Sequence, residues 1–414
     1  MKKTLLGNYL TAIDIGTTKI CVLIAKVDPK NGVEVVGIGQ TPSYGLKKGV
    51  VVNISKTVDS IKIATQEASR MAGVPVESAV VGISGGHIKS YNSTGVVAIK
   101  RRDVSQEDIN RVIDAAKAIP IPQDQDILHV LPQYFRVDGQ EYVLDSLGMY
   151  GVRLEAQVHI ITGAVASAQN IVKSCELAGI RVLDIVLEQI ASADAVLTPA
   201  EREMGVGIID IGGGTSDFAI YKDGRIHYSK VLPIAGNHFT QDLAFACTIS
   251  KENAELLKKQ HGIAYDYDPH ASVTVDLDYD LGSKQIPVSF VTNVLRSRAE
   301  EIFELFSEEI KEYRLKSFMP SGLVLTGGGS LLAGIREVAQ SKLDMAVRIG
   351  CPLIQKTPAA ALSTDLLKSP IYATAYGLLL HATGQATTNE MTNTQEAPFV
   401  RIFKRMKSWI YDFL

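Results

Sequence analysis

Apolar residues run up to an aspartate, a glycine turn follows, and a second apolar run leaves the turn. This pattern occurs in "AIDIGTTKICVLIA", residues 12–25, and again in "IIDIGGGTSDFAI", residues 208–220. Each copy continues through a polar turn, "DPKNG" or "KDGR", into another alternating run, "VEVVGIGQT" or "IHYSKVLPI". The pattern predicts three strands joined by tight turns, written twice, with Asp223–Gly224 as a hairpin signal. The two aspartates, Asp14 and Asp210, lie 210 − 14 = 196 residues apart, far beyond a solenoid period, so two related half-proteins are expected.

Helical periodicity fills the intervals. "SKTVDSIKIATQEASRMAG" predicts a helix capped by Ser55 and closed by Gly73, with Val58, Ile61, Ala68 and Met71 on one stripe. "AVASAQNIVKSCELAG" ends on Gly179 in the same way, before a strand, "IRVLDIVL". Residues 84–162 have another character: Ser105 and Asp108 form a capping box for "SQEDINRVIDAAKAI", then "IPIPQDQD" breaks the helix and several short strands follow. This stretch reads as an inserted α+β subdomain. The expected division places residues 1–83 and 163–196 in one core, and 197–232 with 308–381 in the other. Residues 233–307, holding two helices and a hairpin, form a smaller subdomain; residues 382–398 lack periodicity and read as a flexible linker.

The last residues, 399–414, return to a helical period. Phe399, Ile402, Phe403, Met406, Trp409, Ile410 and Phe413 share one apolar face, flanked by Arg401, Lys404, Arg405 and Lys407. A heavily aromatic face with basic flanks behind a linker suits an anionic membrane surface, with the helix lying in the interface plane. Docking on the protein's own core, or in a partner's groove, would use the same amphipathicity.

Composition narrows the class. The 414 residues are 46% apolar with a formal net charge of −3, so nothing global points to nucleic acid. Cys21, Cys175, Cys247 and Cys351 are scattered without a metal or disulfide spacing, and are read as reduced and cytoplasmic; the eight histidines form no ligand pair. The N-terminal "MKKTLLGNYL" imitates a signal peptide, but Asn8, Tyr9 and Asp14 interrupt it and no small-residue cleavage site follows. No run of about 18 apolar residues predicts a spanning helix.

The glycine turns carry the candidate chemistry. A tight Gly/Thr turn presents successive backbone N–H groups as a nest for phosphate oxygens. Gly16, Thr17 and Thr18 offer one nest, with Lys19 beside it; Gly212, Gly213, Gly214 and Thr215 offer the other. Asp14 and Asp210, at the strand ends, suit the water shell of a phosphate-bridging Mg²⁺. Gly327, Gly328 and Gly329, followed by Ser330, lie between a strand and a helix and leave space for a flat adenine. Any one such turn is most often only a turn; three in this order are not. Glu188, opening "EQIASADAVL", is a candidate general base for an attacking water, or simply a favourable charge at a helix N-terminus.

The order "AIDIGTTKI", "IIDIGGGTSDFAI", "LVLTGGGSLLAGI" and "YATAYGLLL" resembles the phosphate, adenosine and connecting motifs of the actin-like ATPase superfamily. Within it, "VVGISGGHIKS" and "LGMYGVRLEAQVHIITG" resemble the FtsA family of bacterial cell-division proteins. The resemblance implies an α/β, actin-like duplicated ribonuclease-H-like fold, with ATP and Mg²⁺ in a cleft between two halves and at most slow ATP hydrolysis. It also implies self-association into filaments, binding of the tubulin-like protein FtsZ, and contacts of other division proteins with the inserted subdomain. The place would be the cytoplasmic face of the bacterial inner membrane at the division site. By the same resemblance Glu255 and Lys258 match ribose and adenine contacts, and Gly236 and Asn237 lie where the smaller subdomain nears the nucleotide. A sugar or polyol kinase of the same superfold, and a pilus-assembly adaptor, are the alternatives.

Overall fold

The computed structural model describes residues 9–28, 32–140, 142–265, 268, 270–276, 282–354 and 365–391, with side chains as far as residue 383. The amphipathic segment 399–414, with all its membrane candidates, lies outside the described residues.

The first half opens with the expected meander, β1 (Tyr9–Ile15), β2 (Lys19–Asp28) and β3 (Gly32–Pro42). A two-residue hairpin, β4 (Leu46–Lys47) and β5 (Val50–Val51), leads to α1 (Ile54–Ala72) and β6 (Ser78–Ile83). The α1 cap is Asn53 rather than Ser55: the Asn53 carboxamide oxygen accepts from Lys56 N at 3.0 Å, starting the helix two residues earlier. Gly73 ends it in the left-handed region as expected, while Met71 falls off the buried stripe and is exposed.

The inserted subdomain then forms β7 (Lys89–Ala98), α2 (Gln106–Ala116), β8 (Gln125–Val137) and β9 (Arg153–Ala164). The Ser105–Asp108 capping box is present. In place of several short strands, three long ones make an antiparallel sheet in the order β7-β9-β8, because α2 covers one face and lets each strand run on. Its own core includes Val112, Phe135, Leu154 and Ile160.

The chain returns through α3 (Val165–Leu177) and β10 (Arg181–Leu187), and α4 (Glu188–Val196) and α5 (Pro199–Met204) lead to the second meander. That meander is β11 (Val206–Ile211), β12 (Ser216–Lys222) and β13 (Arg225–Leu232). Next come α6 (Gly236–Cys247), α7 (Lys251–His261), the hairpin β14 (Ser272–Asp276) and β15 (Ser283–Pro287), and α8 (Val288–Glu312). The half closes with β16 (Leu323–Thr326), α9 (Ile335–Leu343) and β17 (Val347–Ile349).

The duplication is explicit in the sheets. The first is ordered β3-β2-β1-β6-β10 and the second β13-β12-β11-β16-β17: an antiparallel meander, then two strands parallel to its first member. Covered on both faces, the central strands are buried nearly throughout, which is why they read as continuous apolar runs.

The last described helix, α10 (Ala373–Met391), packs on α4 and on β1. Gly377 makes this possible, since a Cβ there would strike the Ala191 carbonyl of α4. Helix α10 runs through residues 382–391, expected as linker, because a helix nucleated by packed turns extends without a new nucleation cost.

Candidate nucleotide site

Both meanders end their first strand at the same place. Asp14 closes β1 opposite Cys21, and Asp210 closes β11 opposite Asp217. The turns are built alike: Gly16 N donates to Lys19 O at 3.0 Å, and Gly212 N donates to Thr215 O at 2.9 Å. Between the turns and the smaller subdomain lies a cavity of about 910 Å³.

The expected residues meet there. Asp14, Gly16, Thr17, Thr18, Lys19, Asp210, Gly212, Gly213, Gly214 and Thr215 line the cavity, as do Glu188, Gly236, Asn237, Glu255, Lys258, Gly327, Gly328 and Gly329. Ser330 does not: it is buried behind the third turn, where its hydroxyl donates to Gly327 O at 2.7 Å. Its position directly after a glycine run made it look like a ligand, whereas a hydroxyl there closes the turn on itself.

The turns touch at their tips. A Cβ on Gly213 would overlap the Thr18 hydroxyl, and one on Gly214 would meet the Thr17 hydroxyl at 2.5 Å. Helix α6 fixes the second turn from outside, with Gly236 N donating to Gly212 O at 3.0 Å and Asn237 N to Gly213 O at 2.8 Å. The carbonyls are therefore occupied. The N–H groups of Thr17, Thr18, Gly213 and Gly214 are not: among the described residues none makes a backbone hydrogen bond. Two such donors from each half belong to residues that line one cavity, an arrangement an anion can satisfy.

Around them sits an excess of acid. Asp14 pairs with Lys19 at 3.2 Å, and Asp210 accepts from Ser192 and, at 3.0 Å, from Thr374. Asp217 accepts from Ser84 at 2.5 Å, across the two halves. Burial, reinforced by Asp14, Asp217 and Asp210, pushes the Glu188 carboxyl well above the usual carboxylate range. Burial also raises Asp210 and pushes Asp217 up to about 7, against the hydrogen bonds each receives. Four carboxylates against the single ammonium of Lys19 suit a divalent cation. No three His, Cys, Asp or Glu side chains converge to hold a metal directly among the described residues. That donor set fits Mg²⁺ held through its waters by Asp14 and Asp210, since Mg²⁺ dehydrates reluctantly.

At the other end, Lys258 donates to Glu255 at 2.7 Å, Thr240 at 2.8 Å and Gly236 O at 3.1 Å, tying α7 to α6. Burial opposes ionisation of Glu255, but bonds from Lys258 and Thr240 outweigh it and hold its carboxyl below the usual range. Nearby, Arg296 donates to Ala264 O at 3.0 Å and Arg298 forks onto Asp242.

Sequence reasoning missed Asp217, Ser84, Ser192 and Thr374. Asp217 had a signal, because the hairpin register of the second turn sets it directly across from Asp210. The others reach the site only through tertiary packing.

A family model described as "SHS2 domain inserted in FTSA" matches residues 85–162, and one described as "Cell division protein FtsA" matches residues 207–377. The chain is 42% identical over 412 residues to the cell division protein FtsA of Pseudomonas aeruginosa, covering 98% of both chains.

The chain belongs to the FtsA family.

The Escherichia coli K12 FtsA is 34% identical, with 97% of each chain covered. Among solved structures, a PilM-PilN type IV pilus biogenesis complex superposes with a TM-score of 0.66 at 16% identity, covering 90% of this chain and 98% of the other. MreB5 of Spiroplasma citri bound to ADP superposes with a TM-score of 0.55 at 16% identity, covering 94% and 99%. These likenesses establish the actin-like ATPase fold, and the FtsA family places the chain among cell-division proteins with an inserted SHS2 domain.

Proposed function

We propose that this FtsA-family chain binds ATP with Mg²⁺ between its halves, self-assembles on the cytoplasmic membrane, and tethers FtsZ there through the amphipathic segment 399–414. The observation that carries the nucleotide reading is the set of four free N–H donors, from Thr17, Thr18, Gly213 and Gly214, at one acid-lined cavity. A polyphosphate taken between the turns replaces the contacts of Gly213 with Thr18 and of Gly214 with Thr17, so the angle between halves depends on occupancy. Bound Mg²⁺ supplies charge compensation for the phosphates. Glu188, its carboxyl held above the usual carboxylate range by burial and the neighbouring acids, is the proposed base for hydrolysis that is slow at most.

Filament contacts favoured by the nucleotide-set angle would bring many weak tail segments to one lipid surface, so assembly and membrane binding reinforce each other. The smaller subdomain is the proposed FtsZ side, and the inserted subdomain the side for other division proteins.

Co-sedimentation with anionic liposomes and ATP tests the reading, using the full chain and a chain ending before Phe399. The full chain should pellet and the truncated one stay in solution. Trp409→Glu should release the protein from lipid and leave nucleotide affinity unchanged. Equal pelleting by the truncated chain would contradict membrane attachment through this segment.

A further inference from the structure

Among the described residues, every lysine lining the cavity is already paired: Lys19 with Asp14 at 3.2 Å, and Lys258 and Lys259 with Glu255 at 2.7 and 3.2 Å. A polyphosphate entering beside four carboxylates would therefore meet no unpaired lysine on the cavity wall. The rim differs.

The β4–β5 hairpin stands there on a two-residue turn, Lys48–Gly49, with φ of 52° and 78°. Gly49 lines the cavity, and its N–H donates to the Thr17 hydroxyl at 2.9 Å. A Cβ on Gly49 would meet Gly85 Cα and Ser84 O at 2.9 Å, so the hairpin is wedged between the first phosphate turn and the start of the inserted subdomain. Lys48 itself is exposed and makes no ion pair among the described residues.

The choice of lysine needs a cause. The same doubly left-handed turn recurs at Asp138–Gly139, φ 53° and 75°, and at Asp223–Gly224, φ 52° and 71°. Asp-Gly is what this turn selects, because a short polar side chain tolerates the left-handed region and bonds locally. Lysine has neither advantage. At both of those turns the chain writes aspartate, and Asp138 also accepts from Val152 N at 3.0 Å and Arg153 N at 2.8 Å; beside the phosphate turn it writes a cation. His238, on α6 of the second half, is held below its usual range first by burial and then in part by the charges of Arg298 and Lys48, so Lys48 lies within electrostatic reach of the second half, while its neighbour Gly49 lines the cavity.

We propose that Lys48 is a further nucleotide-contacting residue, reaching from the strained β4–β5 turn over the mouth of the cleft to pair with polyphosphate oxygens. This rests on the nucleotide reading above. It gives the rim an electrostatic latch that acts on phosphates and not on the nucleoside.

The test is an equilibrium titration of the full chain with a fluorescent ATP analogue and Mg²⁺, with adenosine in parallel. Lys48→Asn should weaken the ATP analogue about tenfold and Lys48→Asp more, whereas Lys48→Arg should stay within about threefold. Adenosine affinity should not change. The melting temperature of Lys48→Asn should equal or exceed that of the unaltered chain, since Asn suits the turn. Unchanged ATP affinity in both the Asn and Asp variants would overturn the proposal, as would a parallel loss for adenosine, which would trace the effect to turn geometry. Failure of the unaltered chain to bind would remove the nucleotide reading itself, and with it this one.

Discussion

In the first half the phosphate turn closes on Lys19, with Cys21 across from Asp14; in the second half the same positions hold Thr215 and Asp217. Identical backbone hydrogen bonds thus support opposite electrostatics, one turn bringing an ammonium and the other a second acid. The insertions differ as well. Between its third strand and β16 the second half places α6, α7, the β14–β15 hairpin and α8, where the first has the β4–β5 hairpin and α1 before β6; the first places the inserted subdomain after β6. A duplicated scaffold fixes where the turns meet, and the departures from symmetry decide what each contributes.

The comparison breaks most completely at the turn tips. Gly213→Val would drive a side chain into Thr18 and should abolish nucleotide binding, on the order of 100-fold or more by titration, while far-ultraviolet circular dichroism stays that of the folded chain. The acids come next. Asp14→Ala leaves Lys19 without its partner and Asp210→Ala leaves Ser192 and Thr374 bonded only to each other; each should weaken Mg²⁺-dependent binding roughly 10- to 100-fold, measured as the ratio of affinities with and without Mg²⁺.

Asp217 sharpens the contrast through pH. Its carboxyl titrates near 7 in the folded chain, against about 4 when unfolded, so the unfolded state loses its proton first as pH rises. Stability from this group is present at low pH and is lost between about pH 4 and 7. Asp217→Asn should therefore stabilise the protein by roughly 1–3 kcal/mol at pH 8 and change little at pH 4 to 5, read as melting temperature against pH. The smallest effect is expected at Ser330. Ser330→Ala should cost about 1 kcal/mol of stability through its lost bond to Gly327 O and leave nucleotide affinity within twofold.

Much of this was legible in the residues, and the reason is periodicity. Central strands buried on both faces read as apolar runs, and Gly/Thr turns mark where they reverse, so the two meanders and the shared cavity emerge from local pattern. Boundaries set by single side chains did not emerge: Asn53 took the cap from Ser55, and packing against α4 carried α10 through residues that are polar on their own. The hydroxyls of Ser84, Ser192 and Thr374 reach the acids from distant segments, with no periodic trace of doing so. Lys48 was visible only once its turn could be set beside Asp138 and Asp223.

The most direct measurement is a crystal structure of the full chain with a non-hydrolysable ATP analogue and Mg²⁺. The account expects phosphate oxygens within hydrogen-bonding distance of N–H groups from both Thr17–Thr18 and Gly213–Gly214, with the metal's waters on Asp14 and Asp210. Phosphates bound to one turn only, or a nucleotide lodged elsewhere while the tips stay in contact, would contradict it.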